Sequence, residues 1–428
     1  MMKPLLIFQG PVATRSGYGG HARDLLRSLI AMDKFDIKVI SLRWGSCPMN
    51  ALTDADSDIT SLIHTQQQGN LPQPDIFVQV SVPNEFQAAG KFNIGITAGM
   101  ETTLVHQEWL EGCNRMDLII VPSKHSRQVL IDTVYSKMQD KKEVAKLKLT
   151  TPVDVLFEGV DTNIYKQTTE LDQSIVDELD SIPENFCFLQ MGHWLQGDHG
   201  HDRKDISGCV QTFCKTFNGR KGPAMILKTS SATFSVIDRE NMLIRINNIK
   251  SEFSNPPNIY LLHGDLTDSE INSLYNHPKV KAMVSFTHGE GYGRPLAEFG
   301  TSGKPIMSSW WSGHKDFLKH SIRLVGQTAQ LHGSSVWDKV LLEESHWFFV
   351  NYRFAGTMFK TIYNKYKKHE QLGKRQKHHI SNYYSMEKMN EQFLEIITNR
   401  VPKPVEEKTL ELPSFDPIEL PTLQKSGE

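Results

Sequence analysis

The sequence predicts an α/β protein of two domains, each built on a parallel sheet covered by helices. Three observations carry that prediction. Short apolar runs alternate with helix-length segments through residues 1–160, the rhythm restarts after Glu158-Gly159-Val160-Asp161, and a chain of 428 residues has room for two or three domains of roughly 150 residues.

In chain order, Pro4-Leu5-Leu6-Ile7-Phe8 reads as a first strand, followed by a glycine-rich turn and a helix in which Leu25, Leu26, Leu29 and Ile30 share one face. Ile37 to Leu42, Asp75 to Val80, Phe92 to Thr97, Leu118 to Val121 and Val153 to Phe157 read as further strands, with helical stretches between several of them. In the second half the strand candidates are Phe186 to Met191, Met225 to Lys228, Ile259 to Leu262, Ala282 to Phe286 and Pro305 to Ser308. Two sheets in series are expected rather than one very wide sheet, with the linker near Gly159. The expected division is 1–160, 161–346, a helical and basic segment 347–399, and a tail 400–428 whose five prolines and scattered acids predict irregular structure.

Composition excludes several classes. At 39% hydrophobic residues the chain is too apolar to be disordered. No apolar run approaches the roughly 20 residues that span a bilayer, and Leu5-Leu6-Ile7-Phe8 is shorter than the ~7–15-residue core of a signal peptide. Cys47, Cys113, Cys187, Cys209 and Cys214 form no C-x-x-C pair, so neither a disulfide framework nor a structural zinc site is expected, and a reducing cytoplasm is the expected compartment. With 47 basic against 49 acidic residues, the net charge of −2 makes no global case for a polyanionic partner; only a local patch could make one.

The segment richest in chemistry runs from Ser285 to Gly300. Its strand ends in a glycine-rich turn, and Pro295 suits the first turn of a helix, where its missing N–H would have been unpaired anyway. The amides of Gly291, Tyr292 and Gly293 at that positive helix end form an expected anion site, with phosphate the usual anion. Glu290 and Glu298 flank the turn eight residues apart. Carboxylates do not bind phosphate, so sugar or ribose hydroxyls are their better partners. Taken by itself, the turn is equally a plain strand-turn-helix carrying solvated acids.

The E-x7-E spacing within Glu290-Gly291-Tyr292-Gly293-Arg294-Pro295-Leu296-Ala297-Glu298, with the following Gly300-Thr301-Ser302-Gly303-Lys304-Pro305, resembles the retaining glycosyltransferases of the GT-B fold, in particular family 4. Asn93 to Thr102, Glu108-Trp109 and Val121-Pro122-Ser123-Lys124 are similar to that family's first domain; Phe157 to Thr162 resembles its interdomain link; His263 to Asp268 resembles the element that holds the nucleotide base. The resemblance implies two Rossmann-like domains with parallel sheets facing a cleft, and a C-terminal segment returning to the first domain. It implies a uridine diphosphate sugar as donor and no required cofactor or metal. Glu298 would bind the ribose, Glu290 the donor-sugar hydroxyls, Gly291 to Gly293 the diphosphate, Lys204 a phosphate and Leu266 the base side. Where the family has Gly-Arg this chain has Gly192-His193, so Arg203, with Lys228 behind it, is the candidate second cation, because leaving-group charge must be neutralised. Arg203 and Lys204 also read as surface charges opening a helix.

The N-terminal loop Gly10 to Gly20, with Gly17 and Gly19, is similar to the family's loop over the diphosphate. It contains neither a P-loop nor a G-x-G-x-x-G spacing, which disfavours an ATPase or a nicotinamide dehydrogenase. On the acceptor side, Glu101 lies just past a strand, where ligands collect at the carboxyl ends of parallel sheets, and His106 follows; either could orient a hydroxyl, His106 being equally an incidental surface histidine.

Two clusters read as decoys. Asp54-Ala55-Asp56-Ser57-Asp58 has metal-like D-x-D spacing but lies in a polar stretch with no strand before it, as a solvated loop or helix cap does. His193, His199 and His201, with Asp198 and Asp202, lack helical metal-ligand spacing. The run Arg353 to His379 holds eight Lys/Arg against Glu370, including Lys367, Lys368, Lys374 and Arg375, and reads as a solvated helix, a membrane-surface stripe or a contact for an anionic acceptor. Together with a similarity of Gly10 to Leu29 and Arg43-Trp44-Gly45 to glycosyltransferases of T-even-like phages, it makes hydroxymethylcytosine in double-stranded DNA the expected acceptor. A glycan or lipid acceptor is the alternative, and a non-catalytic sugar-nucleotide-binding protein is a reading of another class.

Overall fold

The computed structural model describes residues 3–65, 69–139, 142–231 and 234–402. The expected tail, from residue 403 onward, lies outside them.

The first sheet is formed by β1 (Leu5–Gly10), β2 (Asp36–Ser41), β3 (Ile76–Val80), β4 (Phe92–Ile96) and β5 (Leu118–Val121); a hairpin of β6 (Val134–Gln139) and β7 (Lys142–Lys148) then projects from it before β8 (Val153–Val155) completes it. Its order is β2-β1-β3-β4-β5-β8, all parallel. Every residue of β3 and β5 is buried, as expected where helices cover both faces of a parallel sheet. The flanking helices are α1 (Gly17–Met32), the short α2 (Ser57–Thr60), α3 (Gln107–Asn114) and α4 (Lys124–Asp132). Ser16 caps α1 by accepting from Gly19 N, and Ser123 caps α4 by accepting from Ser126 N.

The second sheet contains β9 (Cys187–Met191), β10 (Ala224–Lys228), β11 (Ile259–Leu262), β12 (Val280–Ser285), β13 (Ile306–Ser309) and β14 (Ile322–Leu324), in the order β11-β10-β9-β12-β13-β14. An antiparallel arm of β15 (Gly326–Gln330) and β16 (His346–Val350) follows. Here the helices are α5 (Gln173–Asp180), α6 (Ile206–Phe217), α7 (Val236–Ser251), α8 (Asp268–Asn276) and α9 (Arg294–Gly300). Strand order reverses between β9 and β12, and in such sheets ligands bind outside the carboxyl ends of the strands at that reversal. The loops after β9 and β12 carry Lys204 and Glu290.

Five strands escaped the sequence reading: β6, β7, β14, β15 and β16. The β6–β7 hairpin is almost wholly exposed and lysine-rich, so it has no apolar run to reveal it. Strand β14 is three residues long. The helical segment expected from about Trp347 begins instead at Tyr352, because Trp347, Phe348 and Val350 of β16 are buried in the second domain.

The basic run is not one helix: α10 (Tyr352–Asn364) and α11 (Tyr366–Tyr383) are separated by Lys365, which leaves helical geometry at φ −126°, ψ 39°. Both pack on the second domain, α10 against α6 and α11 against α9. The return to the first domain is made by α12 (Met386–Arg400), whose Met389, Phe393, Ile396 and Ile397 are buried among Leu25, Leu29 and the first sheet. Each such buried apolar side chain stabilises the docking by about 1.5–3 kcal/mol. Where the chain enters the second domain and where it leaves it, the two crossings lie side by side: Val160 N donates to Tyr384 O and Met386 N to Val160 O, both at 2.9 Å.

Candidate active site

The loop after β12 turns sharply into α9. Gly293 adopts φ +102° as the N-cap, a left-handed conformation that favours glycine, and Pro295 occupies the first turn. No hydrogen bond from the amides of Gly291, Tyr292 or Gly293 is formed among the described residues. Ser312 Oγ accepts from Glu290 N at 2.8 Å, which fixes the turn from the side. The Tyr292 ring turns inward and packs on Phe317.

Glu290 meets Lys204, from the β9–α6 loop, at 2.5 Å with both side chains largely covered (12% and 13% exposed). Burial pushes the Glu290 carboxyl up, but Lys204 and Arg203 outweigh it and hold it below the usual carboxylate range. Arg203, next in the chain, pairs with Glu101 of the first domain. Lys228 Nζ donates to Gly264 O at 2.5 Å, two residues before Leu266, which is partly buried against a core cluster of the second domain. Arg203, Lys204 and Lys228 all lie within electrostatic reach of His193, so three cations gather where the sequence left a second phosphate-binding cation open. The cavity beside Lys204, Glu290 and Gly293 is small, about 40 Å³. That is room for waters, and every residue that lines it belongs to the second domain.

Glu298 is buried in α9. Its Oε1 accepts from Arg294 Nε at 2.8 Å and its Oε2 from the Tyr275 hydroxyl at 3.3 Å. Burial raises it to about 7 against the pull of Arg294. Sequence reasoning missed Arg294 itself, which also donates to Asp24 of the first domain at 2.6 Å and lies 4.0 Å from Glu158. Burial pushes Glu158 up to about 8, with Arg294 opposing. It missed Arg15 too, which reaches Asp265 at 3.0 Å and ties the N-terminal loop to the second domain. Within that loop Gly19 N is occupied by Ser16 Oγ, whereas Gly17 opens α1.

Glu101 therefore stands at the domain boundary, its side chain paired with Arg203 and its backbone close against Gly289. His106 does not join it: it is the N-cap of α3, its Nδ1 accepting from Glu108 N at 3.2 Å. Lys367, Lys368, Lys374 and Arg375 are exposed on α11 but are not brought to the cleft. Tyr366 rests on Phe186, and Gly373 on the Gly303–Lys304 backbone, segments that enter β9 and β13; this is the amino end of the strands, opposite the carboxyl ends that carry the site. Asp56 and Asp58 are joined by Arg27, and Asp56 closes a capping box with Thr53. Asp202 accepts from Ile206 N and Ser207 N at the start of α6. No group of three or more His, Cys, Asp or Glu arranged to hold a metal occurs among the described residues. Nor, among them, is any helix long and apolar enough to cross a membrane.

No family model and no curated protein matches the chain. Solved structures do. A glycosyltransferase from Rickettsia africae ESF-5 superposes with a TM-score of 0.61 at 13% identity, covering 94% of this chain and 100% of its own. Anabaena HepE in complex with UDP-glucose gives 0.57 at 12%, covering 92% and 100%. Sucrose-phosphate synthase from Thermosynechococcus elongatus gives 0.59 at 10%, covering 93% and 99%. What these likenesses share with the two six-stranded parallel sheets and the returning C-terminal helix is architecture: the chain has the two-domain GT-B fold.

Proposed function

We propose that the protein is a retaining glycosyltransferase that moves a sugar from a uridine diphosphate sugar to an acceptor hydroxyl. The observation that carries this reading is the pairing of Glu290 with Lys204 beside Arg203, at the strand-order reversal and next to free turn amides. In the reaction the bond from the anomeric carbon to the diphosphate oxygen breaks, its electron pair leaving with the diphosphate. The acceptor oxygen bonds to the same carbon from the same face, and its proton passes to the departing diphosphate. Negative charge that develops on the departing diphosphate oxygen meets Lys204, Arg203 and the amides of Gly291 to Gly293, fixed in place before the reaction. Glu290, released from Lys204 as phosphate replaces it, accepts from donor-sugar hydroxyls; Glu298, in the helix that follows the turn, accepts from the ribose. Glu101, paired with Arg203, faces the acceptor. The similarity to solved structures that include a UDP-glucose complex supports the choice of donor.

The test is release of UDP from UDP-glucose and other UDP-sugars, with the anomeric configuration of the product read by NMR. Turnover lost on Glu290→Gln supports the reading; absence of turnover and of UDP-sugar binding overturns it. Hydroxymethylcytosine in DNA is a second reading for the acceptor, favoured by the exposed cations of α11. It predicts duplex binding that weakens steeply with salt and on neutralising Lys367, Lys368, Lys374 and Arg375.

A further inference from the structure

Resting on the transferase reading, we propose that Ser312 is a positioning residue for Glu290, holding its carboxylate in place for the donor sugar. Ser312 opens a single 3-10 turn, Gly313–Lys315, in the segment between β13 and β14. Its Oγ accepts from Glu290 N at 2.8 Å, and the next amide, Gly313 N, donates to Glu290 O at 2.9 Å. One dipeptide thus grips both backbone polar groups of Glu290, so the side chain that meets Lys204 departs from a fixed point. The fit is close: a Cβ on Gly313 would stand 2.0 Å from Gly291 O.

The backbone of Ser312 shows that the hydroxyl matters. It adopts φ +66°, ψ −155°, a region that glycine alone enters without strain. Asp33 and Asp205 also have positive φ, but their ψ of 28° and 45° places them in the left-handed helical well that aspartate tolerates. Were the loop's shape its whole purpose, glycine would supply it at no steric cost. What serine adds is Oγ, and that oxygen takes the Glu290 amide. At 5% exposure, Ser312 leaves little access for a water to stand in for it.

The loop is braced on both sides. His314 Nε2 donates to Ser309 O at 2.6 Å, which ties the turn back to β13. On the far side it leans on the first domain: Lys124 N, at the start of α4, donates to Asp316 Oδ2 at 2.8 Å, and Trp311 meets His125 edge-on with ring centroids 4.7 Å apart. A carboxylate held from such a frame needs no realignment when the donor arrives, which is what preorganisation requires.

The experiment combines calorimetric binding of UDP and of UDP-glucose, steady-state transfer kinetics and thermal melts on the full chain carrying Ser312→Gly or Ser312→Ala. Both variants should bind UDP within about twofold of wild type, bind UDP-glucose about threefold or more weakly, and lower kcat by about tenfold, the size expected for losing one buried hydrogen bond. Ser312→Gly, relieved of strain, should melt above Ser312→Ala although the two lose function alike. In a Glu290→Gln background, adding Ser312→Gly should change UDP-glucose affinity by less than about 1.5-fold, since no carboxylate is left to position. UDP-glucose affinity and kcat unchanged in Ser312→Gly, or a loss of equal size in the Glu290→Gln background, overturns the positioning role and leaves the transferase reading standing. Ser312→Gly melting at or below Ser312→Ala makes the residue a structural one and overturns the role likewise. Failure of wild type to bind both UDP and UDP-glucose overturns the transferase reading and the role with it.

Discussion

Arg294, at the first position of α9, donates to Asp24 in α1 at 2.6 Å, so the helix expected to hold the nucleotide is tied directly to the opposite domain. The same guanidinium serves Glu298 and approaches Glu158, one cation among three carboxylates. Removing one partner of such a buried cluster leaves uncompensated charge, at a cost of about 3–5 kcal/mol. Arg294→Ala should therefore lower unfolding stability by that order in urea titration, and Asp24→Asn by less, because Glu298 still holds the guanidinium.

Chemistry should depend on the Glu290–Lys204 pair more than stability does. Glu290→Gln and Lys204→Ala are each expected to reduce kcat for transfer by about 10²–10³-fold, the range for losing one preorganised electrostatic contact. Steady-state kinetics, with circular dichroism as a check that the fold persists, decides this.

The raised Glu158 carboxyl makes stability fall as pH rises. Between the ordinary carboxylate range and about 8 the folded state holds a proton at Glu158 that the unfolded chain has released, so ionisation favours unfolding across that window. Glu158→Gln should melt within a degree or so of wild type at pH 5 and several degrees above it at pH 8. Equal differences at both pH values in thermal melts would exclude this assignment.

Gly291 explains why the turn carries a glycine in front of α9. A Cβ there would collide with Ala98 O of the first domain, so Gly291→Ala should hold the domains apart. UDP should still bind, since the cations that meet it lie on the second domain, but transfer should fall by about tenfold or more. Small-angle scattering should show a larger radius of gyration for the variant in the presence of UDP.

Much of this was legible in the chain itself. Apolar runs such as Ile76 to Val80 announce buried parallel strands because both faces need apolar residues, and the glycines and Pro295 announce the β12–α9 turn. Glu290, Lys204 and Arg203 could be proposed as a group only through the family resemblance, since 86 residues separate Lys204 from Glu290. Arg294 and Asp24 were missed because their pairing spans 270 residues and leaves no local pattern. His106 reads the same in sequence whether it caps a helix or faces a ligand; only its bond to Glu108 N tells them apart. Charge spacing in the basic run shows that a surface is cationic but not which end of the sheet it lies at.

The paired crossings at Val160 and Tyr384–Met386 have a mechanical consequence. A single thread would let one domain swivel freely about the other. Two threads hydrogen-bonded together act as a hinge pin, leaving an opening motion and suppressing twist. Whenever the jaws shut, Asp24 must return to Arg294 and Glu101 to Arg203 in the same alignment, so registration across the cleft is built into the backbone rather than left to the side chains.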